Sequence, residues 1–331
     1  MPARDQRTTI TQVANAAGVS IQTVSNVIRG RGRVGEATRE RVAKVISELN
    51  YVPHPGASSM RSNRTGQLAH PMPPQSFEPT NNINVEFIRG LVAAAATHGY
   101  HVVLTRSDGD PEEIAELCRS GRIDGFVFTG MQPDDLRMET AHRLGMPFAC
   151  FGRTAPDLPQ AWVDIHNADG TDEATTLLID TGHRRIAFLG HESPYFWDAE
   201  RRDGYLQAMA RAGLQSRVAL CGSTDKDIEA AARKLLGRGR PSAIVCSSDR
   251  LAVALYAEAG RRGIEVGKEL AITGFDDWIV GRNLSPALTT VSTDLHDIAG
   301  RVVDRFLTEL AGPTDAPGEF VPVELLRRGS A

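Results

Sequence analysis

The sequence predicts an α/β protein in two parts, a small all-helical head and a larger body built on parallel sheets. Three observations carry this expectation. The 331 residues exceed one ordinary domain and suit a small domain followed by a bilobed one. Charge is unevenly placed: ten basic against four acidic residues up to Arg64 leave that stretch at +6, and the rest of a chain of net charge −4 at −10. From Gly66 onward, short apolar runs alternate with amphipathic helical patterns, as expected of parallel strands with helices on both faces.

A basic head on an acidic body is the asymmetry expected when only the head meets a polyanion. The four cysteines, Cys118, Cys150, Cys221 and Cys246, form no CxxC pair and have no zinc-type Cys/His spacing. They read as reduced, buried thiols of a cytoplasmic protein, with no metal and no cofactor. No apolar run approaches the roughly 18 residues of a membrane span, and no apolar segment follows the N-terminal charges as an export signal requires. GxGxxG after an opening strand, GxxxxGK[ST] and GxSxG are all missing, so binding is favoured over catalysis.

Within the head, Val13, Ala14 and Ala17 line one face of a short helix. Gly18 permits the left-handed turn that follows, and Val19 plugs the angle between two helices. Ser20 is placed to cap the second helix, whose apolar face is Val24, Val27 and Ile28. Ile21, Gln22, Ser25 and Asn26 lie on or near its outer face. This is the helix-turn-helix pattern, whose second helix enters the major groove. A third helix, Glu36 to Leu49, carries Val42, Val45, Ile46 and Leu49 at helical spacing and ends before Tyr51-Val52-Pro53.

From Thr9 to Thr65 the chain resembles the head of the lactose-repressor (LacI/GalR) family, through TITQVANAAGVSIQTVSNVIRG, GRVGEATRERV, ELNYVPHPGA and RTG. The resemblance implies a helix-turn-helix domain over 8–53 and a hinge over 54–65 that folds on operator DNA. It makes Ile21, Gln22 and Asn26 the base-reading residues; Gln and Asn suit adenine N6 and N7. Ser20, Thr23 and Ser25 become phosphate contacts or helix supports. Thr9, Arg29, Tyr51 and His54 join the DNA-binding set. Asn26 replaces the arginine common in the family, and Gly56 and Ser58 depart from its usual hinge. Met60 stands where the family places a leucine wedge, and Ala57 allows two hinges to approach.

In the body the clearest strands are expected at Val102–Thr105, Gly125–Thr129, Phe148–Phe151, Ile186–Leu189, Ala243–Val245 and Leu270–Gly274. Helices are expected at Val85–Thr97, Pro111–Arg119, Asp169–Thr181, Asp198–Ala212, Asp225–Leu236 and Asp249–Arg261. Leu68 to Pro73 is a weak first strand, because proline cannot donate to a ladder. The family resemblance continues here through RIDGFVFTG, TGHRRIAFLG, RRDGYLQAMARAGL, SSDRLAVALYAEAGRRGIEV, ITGFDDW and SPALTTV. It implies a periplasmic-binding-protein-like bilobed domain of two doubly wound parallel sheets over 66–331. The N-lobe would hold about 66–163 and 292–318, and the C-lobe about 164–291 and 319–328, with crossings near Val163, Val291 and Glu319. A periplasmic transport protein shares such a body but needs an export signal and no basic head.

Ligands bind such sheets at the carboxyl ends of their strands. The family spacing makes Arg201, before Asp203-Gly204-Tyr205, the effector-binding arginine, and its fork suits vicinal hydroxyls or a carboxylate. The resemblance makes Asp276 an acceptor carboxylate and points Arg153 toward the cleft. Ser248 stands where the family often has asparagine. Asp108 follows a strand and either binds or shapes the turn. Phe77, Phe196, Trp197 and Trp278 are candidate platforms for the C–H face of a sugar. The expected partners are a palindromic operator, a mono- or disaccharide effector and a second copy of the chain, with no membrane. A C-terminal heptad run is missing, which favours a dimer over a tetramer held by a terminal coiled coil.

Overall fold

The structure, a computed structural model, describes residues 8–28, 32–51, 64–72, 82–154, 160–312 and 317–331. The chain divides between Thr65 and Gly66 into two compact units.

The first unit contains α1 (Ile10–Ala17), α2 (Ile21–Ile28) and α3 (Glu36–Glu48). Thr9 caps α1 in a reciprocal arrangement with Gln12, satisfying two otherwise orphaned N–H groups. Gly18, at φ 63°, ends α1 in the left-handed conformation that a side chain adopts only with strain. Ser20 Oγ accepts the Thr23 N–H at 3.1 Å and so caps α2 as expected. Val13, Ala14, Ala17, Val24, Val42 and Tyr51 form the core, with Val19, Val27, Val45 and Ile46 packed against it. α3 stops one residue short of the expected end, where Asn50 takes φ 47° and Tyr51 turns back to bond the Ile46 carbonyl.

The second unit has two six-stranded sheets. The first holds β1 (Gln67–Met72), β2 (His101–Arg106), β3 (Gly125–Phe128), β4 (Phe148–Phe151), β5 (Ala161–Ile165) and β11 (Glu319–Val321). Its order is β11-β5-β4-β3-β1-β2, all parallel. The second holds β6 (Ile186–His191), β7 (Val218–Cys221), β8 (Ala243–Cys246), β9 (Ala271–Phe275), β10 (Thr289–Ser292) and β12 (Glu324–Leu326). Its order is β12-β10-β9-β8-β6-β7, parallel except for β12. Covering helices are α4 (Asn82–Thr97), α5 (Pro111–Arg119), α6 (Leu136–Arg143), α7 (Asn167–Asp180), α8 (Phe196–Arg211), α9 (Asp225–Leu235), α10 (Asp249–Arg262) and α12 (Leu295–Ala311), with α11 (Ile279–Arg282) a single turn. Leu68, Phe87, Leu91, Val127, Val302 and Phe306 anchor the core of the N-lobe. Ile244, Leu251, Leu255 and Ile272 on one face of the second sheet, and Phe188, Tyr205 and Met209 on the other, anchor the C-lobe.

The chain passes between the sheets after β5, β10 and β11. The last passage differs from the expectation near Glu319. β11 remains in the N-lobe sheet, paired with β5, and Phe320 packs edge-on against Trp162. The crossing therefore falls between Val321 and Glu324.

β1 is stronger than the sequence promised: five of its six residues are buried, and it lies between β2 and β3. Its pairing with β3 stops at Ala69 and Phe126. In a continued ladder the Val127 carbonyl would accept from the backbone N–H of residue 71, which Pro71 lacks. The buried His70 ring takes that place, with Nδ1 donating to the Val127 carbonyl at 2.8 Å. Burial lowers the His70 pKa to about 4, so the ring is neutral at physiological pH and the bond fixes its tautomer.

Candidate functional site

In the first unit, Ile21 and Gln22 are exposed and Asn26 is half-buried on α2. Gln22 Nε2 donates to Asn26 Oδ1 at 3.2 Å across one turn, so the two amides present a joint polar edge. Two residues of the expected DNA-binding set are placed differently. Ser25 is 6% exposed, facing the core rather than the outer side of α2, which leaves it a supporting role. Tyr51 is 8% exposed and belongs to the core cluster. Thr9 and Ser20 are committed to caps, and Thr23 Oγ1 lies 2.9 Å from Ser20 Oγ. Arg29, His54, Ala57 and Met60 lie outside the described residues, as does Phe77 of the effector set.

In the second unit the residues converge on Arg201. Gly204, one turn later on α8, meets α7 so closely that a Cβ would stand 2.1 Å from the Ala168 carbonyl oxygen. That close crossing brings the Arg201 Nε to Asn167 Oδ1, at 2.9 Å. Arg201 also donates to the Ser247 carbonyl at 2.6 Å and pairs with Asp276 at 3.2 Å. Its guanidinium lies over the rings of Phe275 and Trp197, 3.5 and 4.8 Å from their centroids. Arg201 and Asp276 are nearly enclosed, with side chains 6% and 10% exposed.

Asp276 and Asp277 adopt φ of 106° and 51°, costly for side-chain-bearing residues. Several bonds hold the turn. The Asp276 N–H donates to the Val291 carbonyl at 2.7 Å, and Asp277 is clamped by Arg282 and Arg328. The Trp278 N–H donates to Asp249 at 2.6 Å, whose other oxygen accepts from Thr290 Oγ1 at 2.6 Å. Burial raises the Asp276 pKa to about 6 against the opposing pull of Arg201. Burial, helped by the Asp276 charge, raises Asp249 to about 8.

The folded chain holds the Asp249 proton up to about pH 8, whereas an ordinary aspartate releases it near 3.8. Unfolding between these values releases a proton, so stability contributed by this group falls as pH rises through the window. Asp249→Asn keeps the bonds to Thr290 and Trp278 within reach. It is expected to flatten the decline in urea midpoint from pH 4 to 8; an unchanged slope would show that Asp249 ionises normally.

The Arg201 cluster is tied to the N-lobe by a group that sequence reasoning missed. Glu200, on α8, accepts from Arg153, which also pairs with Asp164 on β5. The other Glu200 oxygen accepts from Asn167 Nδ2 at 3.2 Å. Arg153, expected at the ligand, is thus a clasp between lobes, its guanidinium 4.8 Å over the Phe320 ring. Tyr195, also missed, stacks on Trp197 at 6.1 Å. Asp108 is exposed and bonded to Arg106 within its own turn, the turn-shaping alternative. Phe196 begins α8 half-buried. Ser248 Oγ is buried and finds no hydrogen-bond partner among the described residues, as do His191 Nδ1, Thr105 Oγ1 and Thr293 Oγ1 near other strand ends. Each of these atoms has a hydrogen bond left to make. No group of side chains suited to a metal occurs among the described residues, and none of their helices is long and apolar enough to cross a membrane.

Comparison with known proteins decides the assignment. Residues 9–54 match the bacterial regulatory proteins of the lacI family, and residues 175–331 match the periplasmic binding protein-like domain. The HTH-type transcriptional regulator DegA of Bacillus subtilis (strain 168) is 33% identical over 301 residues, covering 88% of each chain. This chain belongs to the lacI family. The HTH-type transcriptional regulator CelR of Thermobifida fusca is 31% identical over 96% of both chains. Among solved structures, a CelR–cellobiose complex has a TM-score of 0.74 at 28% identity, covering 98% of this chain and 100% of that one. A Lac repressor dimer bound to operator and the anti-inducer ONPF has a TM-score of 0.86 at 22% identity, covering 98% and 99%, and shares the fold. As a lacI-family member the chain is a DNA-binding transcriptional regulator, with a helix-turn-helix unit followed by a periplasmic-binding-protein-like unit.

Proposed function

We propose that this lacI-family chain is a cytoplasmic, dimeric repressor, released from a palindromic operator when a mono- or disaccharide binds between the lobes of its second unit. The observation that carries the effector reading is the enclosed Arg201–Asp276 pair at the carboxyl end of β9, flanked by Trp197 and partnerless buried hydroxyls. An aromatic wall and buried hydroxyls still without partners are what a polyol requires, and the Arg201–Asp276 pair frames them. The family relatives support the reading, among them the regulator whose structure holds cellobiose. The domain limits 8–53, 54–65 and 66–331 belong to the same proposal.

The role is binding without turnover. Asp276-Asp277 is the arrangement most like a general acid–base pair, and both carboxylates are committed to arginines. Effector closes or opens the lobes, and the hinge carries that change to two heads on one operator. Linkage then requires operator and effector to weaken each other by the same factor, about 5- to 150-fold for a coupling of about 1–3 kcal/mol.

On α2, Gln22 and Asn26 read bases while Ile21 contacts them apolarly. Gln22→Ala or Asn26→Ala is expected to cost about 1–3 kcal/mol at a single base position. Competition binding against a set of singly substituted operators measures this; equal loss on every duplex would remove base reading from α2. The effector reading is tested by operator anisotropy with the purified protein and a panel of mono- and disaccharides, with release by at least one expected.

A further inference from the structure

We infer that the effector is electrically neutral, an uncharged glycoside rather than a sugar phosphate or sugar acid. The inference deepens the sugar reading above and rests on it.

An anionic ligand needs a cation with coordination to spare, and the arginines at the strand ends have little. Arg201 is shared among Asp276, Asn167 and the Ser247 carbonyl, with rings lying against its guanidinium. Arg153 is held by Asp164 and Glu200 and lies over Phe320. Arg250 is paired with Asp225 at 2.8 Å. Arg137 is buried against Asp135 and the Thr129 and Gly130 carbonyls. Arg106 is forked onto Asp108. Lys226, in the first turn of α9, is exposed and flanked in sequence by Asp225 and Asp227. The stretches that follow β1 and β4, residues 73–81 and 155–159, contain Glu78 and Asp157 but neither lysine nor arginine. They bring no cation wherever they lie.

Carboxylates outnumber cations around the clasp. With Arg250 and its partner Asp225 included, three guanidinium groups, of Arg153, Arg201 and Arg250, face five carboxylates, of Asp164, Asp198, Glu200, Asp225 and Asp276. Burial holds the pKa of Asp164 and Asp276 up to about 6 and raises that of Asp198, with Glu200 adding to the rise at Asp164 and Asp198 to that at Asp276. His191, also enclosed, has its pKa lowered by burial and does not offset the excess. A phosphate brought here would add charge to an enclosed site whose described arginines are already engaged by carboxylates, a costly burial. Hydrogen-bond polarity agrees. Ionised carboxylates only accept, a sugar hydroxyl donates, and a phosphate dianion has no proton to give. Ser248 Oγ, Thr293 Oγ1 and His191 Nδ1 offer neutral partners.

The test uses the full-length protein and matched probes: glucose, galactose, mannose and cellobiose; glucose 6-phosphate and glucuronate; and adenosine and cytidine with their monophosphates. Calorimetry and operator release are read together. A neutral member is expected to bind, with its anionic counterpart about tenfold weaker or more. In parallel, the operator-releasing activity of a deproteinised extract of cells carrying the gene is passed over a strong anion exchanger, and is expected in the flow-through. Tighter binding of any phosphate or sugar acid than of its neutral counterpart overturns the inference, as does activity retained on the exchanger. Release by a neutral nucleoside but no sugar overturns the sugar reading while upholding neutrality. Absence of release by both panel and extract removes the effector reading, and this inference with it.

Discussion

Replacing Arg201 by alanine is expected to abolish the response to effector while leaving operator binding in place. Arg201 is the point where α7, α8, the β8 end and the Asp276 turn meet. Its loss strands the Asp276 carboxylate in a site where its side chain is only 10% exposed. Breaking a buried pair in this way costs about 3–5 kcal/mol, so the melting temperature of the second unit should fall as well. Asp276→Asn separates site from stability. It removes the charge yet nearly preserves shape, and is expected to lose effector affinity at a smaller cost to folding. Operator anisotropy with and without effector, alongside urea titration, measures both. Effector release persisting in both variants would place the pocket elsewhere.

Glu200 and Arg153 are expected to govern how strongly the two lobes communicate. They join α8 to the loop after β4, and through Asn167 they touch the same network as Arg201. Each single alanine variant should change the ratio of operator affinities with and without effector. The double variant should show non-additivity of about 0.5–3 kcal/mol, the range for residues in one ion-pair network. The exchange Arg153→Glu with Glu200→Arg restores opposite charges at the clasp but leaves Asp164 facing a carboxylate, so only partial recovery is expected. Additive singles with an unaltered effector ratio would reduce the clasp to a surface ornament.

Much of this was legible in the chain. Gly18, Ser20 and the Val13, Val24 and Val42 spacing specify the helix-turn-helix because each acts within a few residues of itself. The clearest body strands were visible because they are apolar runs between turn residues. α6 and α12 escaped notice although both are regular helices. β5 escaped because Asp164 interrupts a run of only five residues, and with it went the significance of Asn167 just beyond. Arg201 and Asp276 came from family spacing, but their ion pair spans 75 positions and no local pattern announces it. The clasp was hidden for the same reason: Arg153 and Glu200 are 47 residues apart and belong to different lobes. Ser25 and Tyr51 were misplaced because a three-helix core closes around them, which the periodicity of α2 alone does not convey.

His70 and Pro71 make substitution at these neighbouring positions depend on order. A residue with a free amide at 71 could bond the Val127 oxygen itself and release the imidazole from duty. An apolar replacement at 70 would then cost little. Taken in the opposite sequence, the first step leaves an enclosed carbonyl with no donor. A chain that keeps Pro71 therefore depends on His70, and the way out begins at the proline.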